Sequence, residues 1–151
     1  MFYRRRDPLE GSALPTVGVG LSILRVATGF VFFMHGYQKL VTDGIADTEQ
    51  FFSRVGAPLP EYTASLVTYA ELIGGIMLLI GMLTQLVAAV LFIDMAAAFF
   101  IVHFENGFFV TENGYELVFL LGGAALAVML TGPGSYSVDN ALPGTRIGRR
   151  R

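Results

Sequence analysis

Apolar residues gather into four long runs along the chain, 17–41, 62–82, 85–103 and 115–131, which together take up more than half of its 151 residues. A helix that crosses a bilayer needs about 20 residues, within a range of roughly 17–25, and each run falls in that range. Gly132-Pro133-Gly134 ends the fourth run. The pattern predicts an all-α membrane protein, a bundle of four transmembrane helices spanning 17–131. A basic segment, 1–16, precedes it, and a basic, loosely ordered polar tail, 132–151, follows.

The first run comes after Tyr3-Arg4-Arg5-Arg6, so a signal peptide is one reading of it. The run is about twice too long for a signal core and carries Arg25, His35 and Lys39 without a small-residue cleavage pattern. It reads better as a retained first span. Lys and Arg near the spans set the orientation. Arg4, Arg5, Arg6, Arg146, Arg149, Arg150 and Arg151 belong to the two ends, whereas the 42–61 and 104–114 connections hold only Arg54 among several acids. Both termini are therefore expected in the cytoplasm, with the protein a multi-pass component of the cell membrane. Tyr37, Tyr62 and Tyr115 fall near the outer boundary and Tyr136 near the inner one, as an aromatic belt would.

The first outer connection carries its own signal. Asp47 and Gln50 have capping-box spacing, and Phe51, Phe52 and Val55 form a short apolar face that ends at Gly56-Ala57-Pro58-Leu59-Pro60. A short helix lying in the membrane interface is expected there. In the second connection, Asn106-Gly107 and Asn113-Gly114 bracket Phe108-Phe109-Val110, which suggests a small hairpin.

Composition narrows the class. The chain is 54% hydrophobic and 15% charged, against roughly 25% charged in a typical soluble domain. That excludes an ordinary soluble enzyme, a nucleic-acid binder and a disordered tail. There is no cysteine, so this chain offers no disulfide, thiolate metal site or thiol redox couple.

The candidate chemistry lies in polar residues within the spans. A charge at the centre of a membrane helix costs about 2.5–3.5 kcal/mol on insertion scales, so it should be paired or functional. The spans hold Arg25, Lys39, Glu71, Asp94 and Glu116, joined by His35 and His103. At 100° per residue, Arg25, Thr28, Phe32, His35 and Lys39 share an arc of about 80°, with Gly29 and Gly36 beside it. Glu71 lies beside Gly74 and Gly75, about 13 Å from Tyr62 along an ideal helix. Arg25 is nearest in depth to Asp94, with Glu71 further out, and either could be its counter-ion.

Each residue also has a structural reading. Lys39 can snorkel to the headgroups, and a buried ion pair can simply fix helix register. Asn113 and Glu116 have capping-box spacing that would close the first turn of the fourth span. His103 lies nine residues after Asp94, so a regular helix points the two apart. His35 and His103 both lie in the outer half but lack the spacing of a haem or metal site, which makes such a cofactor the weaker option. A quinone pocket asks only for a histidine, a carboxylate and apolar walls.

The sequence resembles the DoxX family of small four-helix bacterial membrane proteins. The matching pieces are Leu24-Arg25, Gly29, His35-Gly36 and Lys39-Leu40 in the first span, then Glu71, Gly74-Gly75, Leu79 and Gly81 in the second. Gly114-Tyr115-Glu116 and Gly132-Pro133-Gly134 with Ser137-Val138-Asp139 complete them. The resemblance implies a membrane subunit of an oxidoreductase system, either quinone-linked or anchoring soluble redox enzymes. Arg25, His35, Lys39, Glu71, Asp94 and Glu116 are the candidate polar lining of its ligand pocket. A small-solute transporter or channel subunit is a competing reading, and so is a noncatalytic scaffold. The partners expected are the lipid bilayer, soluble redox enzymes or other membrane subunits, and further copies of the chain, with no nucleic acid.

Overall fold

The computed structural model describes residues 15–141. The arginine-rich ends, 1–14 and 142–151, lie outside the described residues, and with them the basic segments named above. The described chain is helical and contains no strand. Helix α1 (Pro15–Tyr37) continues through a π-helical turn at Gln38–Asp43, and α2 (Ile45–Arg54) follows it. Helix α3 (Pro60–Ile80) turns sharply into α4 (Thr84–Ala98), which also ends in a π segment, Phe99–His103. Two single 3-10 turns, Phe104–Asn106 and Val110–Glu112, lead to α5 (Glu116–Thr131), and α6 (Val138–Ala141) is the last short element. Three helical stretches, Thr16–Asp43, Pro60–Ile80 and Thr84–Asn106, are long and apolar enough to cross a membrane. Helix α5 is apolar but has only 16 residues, a rise of about 24 Å.

The four long helices run up and down. One end of the bundle carries α2 and the 104–114 loop (the α2 end). The other carries the α3–α4 turn and the segment after α5 (the turn end). In lipid the hydrophobic effect does not drive helices together, so close packing must. Helix α1 meets α3 through glycines. A methyl group on Gly29 would lie 2.9 Å from the Gly75 carbonyl oxygen, and one on Gly36 would lie 2.6 Å from Leu72 Cα. Helices α4 and α5 meet through Ala88, Leu91 and Met95 against Leu121, Gly122 and Ala125. Phe32, Leu78, Leu91 and Val128 fill the centre. Ile23, Phe30, Leu66, Ile93 and Phe119 stand exposed on the outside, where a bilayer would cover them.

The turn end is closed by the chain itself. Gly81 takes φ +72°, and the bonds from Gly81 N to Leu78 O and from Met82 N to Met77 O form a glycine-terminated helix end. Beyond α5, Ser135 N donates to Gly18 O at 3.0 Å and Tyr136 N to Ser22 Oγ at 3.1 Å. Asp139 accepts from Leu83 N at 2.8 Å and from Thr84 N at 2.9 Å, satisfying the first donors of α4. Residues 132–141 are thus packed in place, not loosely ordered as their polarity suggests. Their donors and acceptors bond to groups near the starts of α1 and α4, including the first backbone donors of α4.

Two local expectations at the α2 end also change. Helix α2 begins at Ile45 with Gly44 as its cap, so Asp47 lies in the first turn and makes no capping box. Thr48 donates instead to Gly44 O at 3.0 Å, and Gln50 accepts from Arg54. The second connection forms no hairpin. Tyr115 N donates to Gly107 O and Glu116 N to Phe108 O, which closes a compact loop around Phe104, Phe108 and Tyr115. Asn113, at φ +60°, ends a 3-10 turn and is not the middle of a two-residue β-turn.

Candidate functional site

Side chains on an α-helix lean toward its N-terminus, and in this bundle that lean decides which charges meet. Helix α1 climbs toward the α2 end, so Lys39 near its top leans down into the bundle. Helix α3 descends, so Glu71 leans up. They meet as an ion pair between Lys39 Nζ and Glu71 Oε2, with the Glu71 side chain 4% exposed and that of Lys39 23%. Lys39 therefore does not simply snorkel outward. Gly74 and Gly75, one turn after Glu71, are buried, and Gly75 lets α1 pass close by.

Asp94 arrives from α4. Its carboxyl group lies close enough to Glu71 for the two to interact, and its Oδ2 is buried without a hydrogen-bond partner among the described residues. One ammonium and two carboxyl groups form a trio that is electrically neutral only when one carboxyl holds a proton. His35 lies one turn below Lys39 on the same face of α1.

His35, Lys39, Glu71 and Asp94 open onto a single cavity of about 500 Å³. Phe32, Val67, Met95, Leu117 and Leu121 are among its apolar walls. Phe51, Phe52 and Val55, the apolar face of α2, close it at the α2 end together with Ala57 and Pro58. This size and character, mostly apolar with a few convergent polar groups, suit a small organic molecule.

The same cavity takes in His103, whose Nδ1 is 2.7 Å from Asn113 O. A regular helix would turn His103 away from Asp94. The π segment at Phe99–His103 breaks that phase, because its wider turn advances each residue by less than 100°. Two segments that contribute to the cavity lining at the α2 end, Gln38–Asp43 and Phe99–His103, are π-helical. Such widened turns are rare and occur frequently at functional sites. Among the described residues no group of three or more His, Cys, Asp or Glu is placed to hold a metal ion.

Two candidate residues lie elsewhere. Arg25 leans down, away from Glu71 and Asp94, and its guanidinium lies beside Gly81 at the turn end. Its Nη2 donates to Tyr136 O at 2.6 Å, and the carboxylate acting on it is Asp139. Neither carboxylate expected as its counter-ion fills that role, since position along the helix ignores the direction of the side chain. Glu116 does not face the cavity either. Its Oε2 accepts from Val110 N at 3.0 Å, so it caps a 3-10 turn in the loop rather than the first turn of its own helix. Asp139 was not a site candidate. It falls outside the hydrophobic runs, and only its place in Ser137-Val138-Asp139, just past a helix stop, hints at a capping role.

A family model described as DoxX matches residues 20–104. The chain belongs to the DoxX family. It is 31% identical to the Bacillus subtilis protein named "Putative oxidoreductase CatD", over 80% of this chain and 85% of that one. Inner membrane protein YqjF of Escherichia coli is 30% identical, over 82% of this chain and 92% of its own length. Inner membrane protein YphA of the same organism is 28% identical, over 85% and 92%. No solved structure matches. The DoxX match covers most of α1 through α4, so it includes Lys39, Glu71 and Asp94 and the part of the cavity wall that those helices supply. This DoxX protein is a membrane protein, as the names of its relatives and its apolar helices agree.

Proposed function

We propose that this protein is the membrane subunit of an oxidoreductase system and that its cavity at the α2 end binds a quinone or a similar apolar redox molecule. The observation behind this reading is the Lys39–Glu71–Asp94 trio, set with His35 in a mostly apolar cavity of about 500 Å³. A quinone has the matching shape, an apolar ring with carbonyl oxygens at its edge. Lys39 Nζ would donate to one carbonyl oxygen. Reduction takes two electrons and two protons. The carboxyl that holds a proton when the trio is neutral, with His35 beside it, would deliver protons from the protein side. The electrons would come from a soluble redox enzyme docked on the membrane. The oxidoreductase name of a relative 31% identical supports the assignment to redox chemistry.

The accompanying topology places both termini in the cytoplasm, the cavity in the outer half of the membrane and α2 in the outer interface. The chain lacks native cysteine, so single-cysteine variants test this directly. With Ser53→Cys and Thr145→Cys in intact cells, an impermeant thiol reagent should label the first and not the second. The opposite result would reverse the orientation.

The ligand itself is tested by titrating the detergent-solubilised protein with a short-chain ubiquinone or menaquinone, following quenching of intrinsic tyrosine fluorescence. Wild type should bind, with Kd raised at least tenfold by Lys39→Met and by Glu71→Gln. Equal binding by all three, or none by wild type, would overturn the proposal. A transporter reading would then regain weight, to be tested by solute uptake into protein-loaded liposomes.

A further inference from the structure

His103 lines the cavity from the end of the π segment that extends α4. Its Nδ1 lies 2.7 Å from Asn113 O. A carbonyl oxygen can only accept, so Nδ1 carries the hydrogen, and in the neutral ring Nε2 is left with a lone pair. The loop is built to hold that arrangement. Asn113 stands in the left-handed region at φ +60°, and its oxygen also accepts from Asn106 Nδ2 at 3.3 Å. Asn106 Nδ2 donates in turn to Val102 O at 2.9 Å. Nε2 has no partner among the described residues, and it is not sealed from contact as Asp94 Oδ2 is. The half-buried ring therefore brings one unspent acceptor to the cavity lining. Nine residues separate His103 from Asp94, a rise of roughly 13 Å on a regular helix and less through π turns. The Lys39–Glu71–Asp94 trio thus marks the deep end of the cavity and His103 the end beneath the 104–114 loop. A six-membered ring with an oxygen at each end, hydrogen-bonded at both by about 2.8 Å, reaches across such a gap.

We infer, resting on the quinone reading of the cavity, that His103 Nε2 accepts a hydrogen bond from one hydroxyl of a bound hydroquinone. The cavity then holds the reduced member of the redox pair more tightly than the oxidised one. A quinone carbonyl and Nε2 are both acceptors and would meet lone pair to lone pair. A hydroquinone brings an O–H to the same place. At the deep end a ligand oxygen can accept from Lys39 Nζ in either redox state, so that end does not discriminate between them. A site whose polar group is matched to a ligand hydroxyl rejects the analogue that lacks it, because the group is then left unpaired. His103 is in this way the residue that sets redox-state specificity.

Anaerobic calorimetric titration of the full-length protein in detergent at pH 8 tests this with two probes, a short-chain ubiquinone and its hydroquinone. Wild type should bind the hydroquinone at least fivefold more tightly than the quinone. His103→Asn keeps an amide N–H where Nδ1 stood, so the bond to Asn113 O survives, and it removes Nε2. That variant should raise the hydroquinone Kd at least fivefold and leave the quinone Kd within twofold of wild type. A merely structural role for His103 would weaken both ligands together. Equal affinity of wild type for the two forms would overturn the inference while leaving the quinone site standing. So would a preference that survives in His103→Asn, or an equal loss of both ligands in that variant. Binding of neither form by wild type would overturn the inference and the quinone reading together.

Discussion

The two ends of the bundle use buried charge in opposite ways. At the turn end Asp139, Tyr136, Ser135 and Ser22 answer helix ends and one another through short, directed hydrogen bonds. The result is a clasp that joins α1, the α3–α4 turn and the segment after α5. At the α2 end Lys39, Glu71 and Asp94 also interact, but they surround open volume, leave Asp94 Oδ2 without a partner, and lie next to two stretches of π-helix. One region spends its polar groups on closure and the other sets them around open volume. A buried charge with unmet bonding capacity is by itself poor evidence for function, since Arg25 at the turn end also leaves Nε and Nη1 without a partner among the described residues; what separates the two regions is that the charges at the α2 end open onto a large cavity.

The largest effect is expected where both ends depend on the same seam. Gly75→Val should press a side chain against the backbone of α1 at Phe33. Overpacking of a tight contact costs about 1–3 kcal/mol and sometimes more. Thermal unfolding in detergent should show a fall in Tm of about 10 °C, together with loss of quinone binding. A Tm within a degree or two of wild type would mean that α1 and α3 are not so closely packed.

Next in size is Lys39→Met, which leaves Glu71 buried without its cation. Breaking a buried pair from one side costs about 3–5 kcal/mol when the remaining charge cannot relax, and less when it can take up a proton. The expected loss is about 2–3 kcal/mol. The double variant Lys39→Met/Glu71→Gln should recover most of it, with a coupling of at least about 1 kcal/mol in a double-mutant cycle. Additive losses would show that the pair is not formed in solution.

Asp139→Ala sharpens the contrast from the other side. Removing the acceptor for Leu83 N and Thr84 N should cost about 1–2 kcal/mol, as for other lost caps. Quinone binding at the α2 end should be unaffected, and a change there would show that the two regions are coupled.

The smallest effect on stability is expected for Asp94→Asn. Its Oδ2 has no hydrogen-bond partner among the described residues and asparagine keeps the size of the side chain, so the folded state should change by less than about 1 kcal/mol. Ligand Kd should nevertheless rise about fivefold. A variant that loses stability without losing affinity would move Asp94 from the ligand side to the structural side of the comparison.

Much of the architecture was legible in the run of residues. The apolar runs anticipated the long helices within a few positions, because a bilayer demands about the same length of apolar helix wherever it is crossed. The stripe from Arg25 to Lys39 does face inward. Arg25, Thr28 and Phe32 are buried, while Val26, Phe30 and Met34 are exposed. The glycines beside that stripe do lie in the α1–α3 seam. These are local consequences of a fixed helical period, available from one strand of text.

What the sequence by itself determined about this protein, then, was its class, the number and length of its apolar helices, and which face of each carries polarity. Only the tertiary structure decided partnership. Arg25 shares a face with His35 and Lys39 but points to the opposite end, because helical side chains lean toward the N-terminus and its neighbours there are Tyr136 and Asp139. His103 joins Asp94 because a π segment shifts the helical phase, which periodicity cannot foresee. Asp139 becomes a cap for a helix that begins more than fifty residues earlier. Hydropathy records how each residue meets solvent or lipid, whereas a bond between distant residues depends on direction and distance, which exist only once the chain has folded.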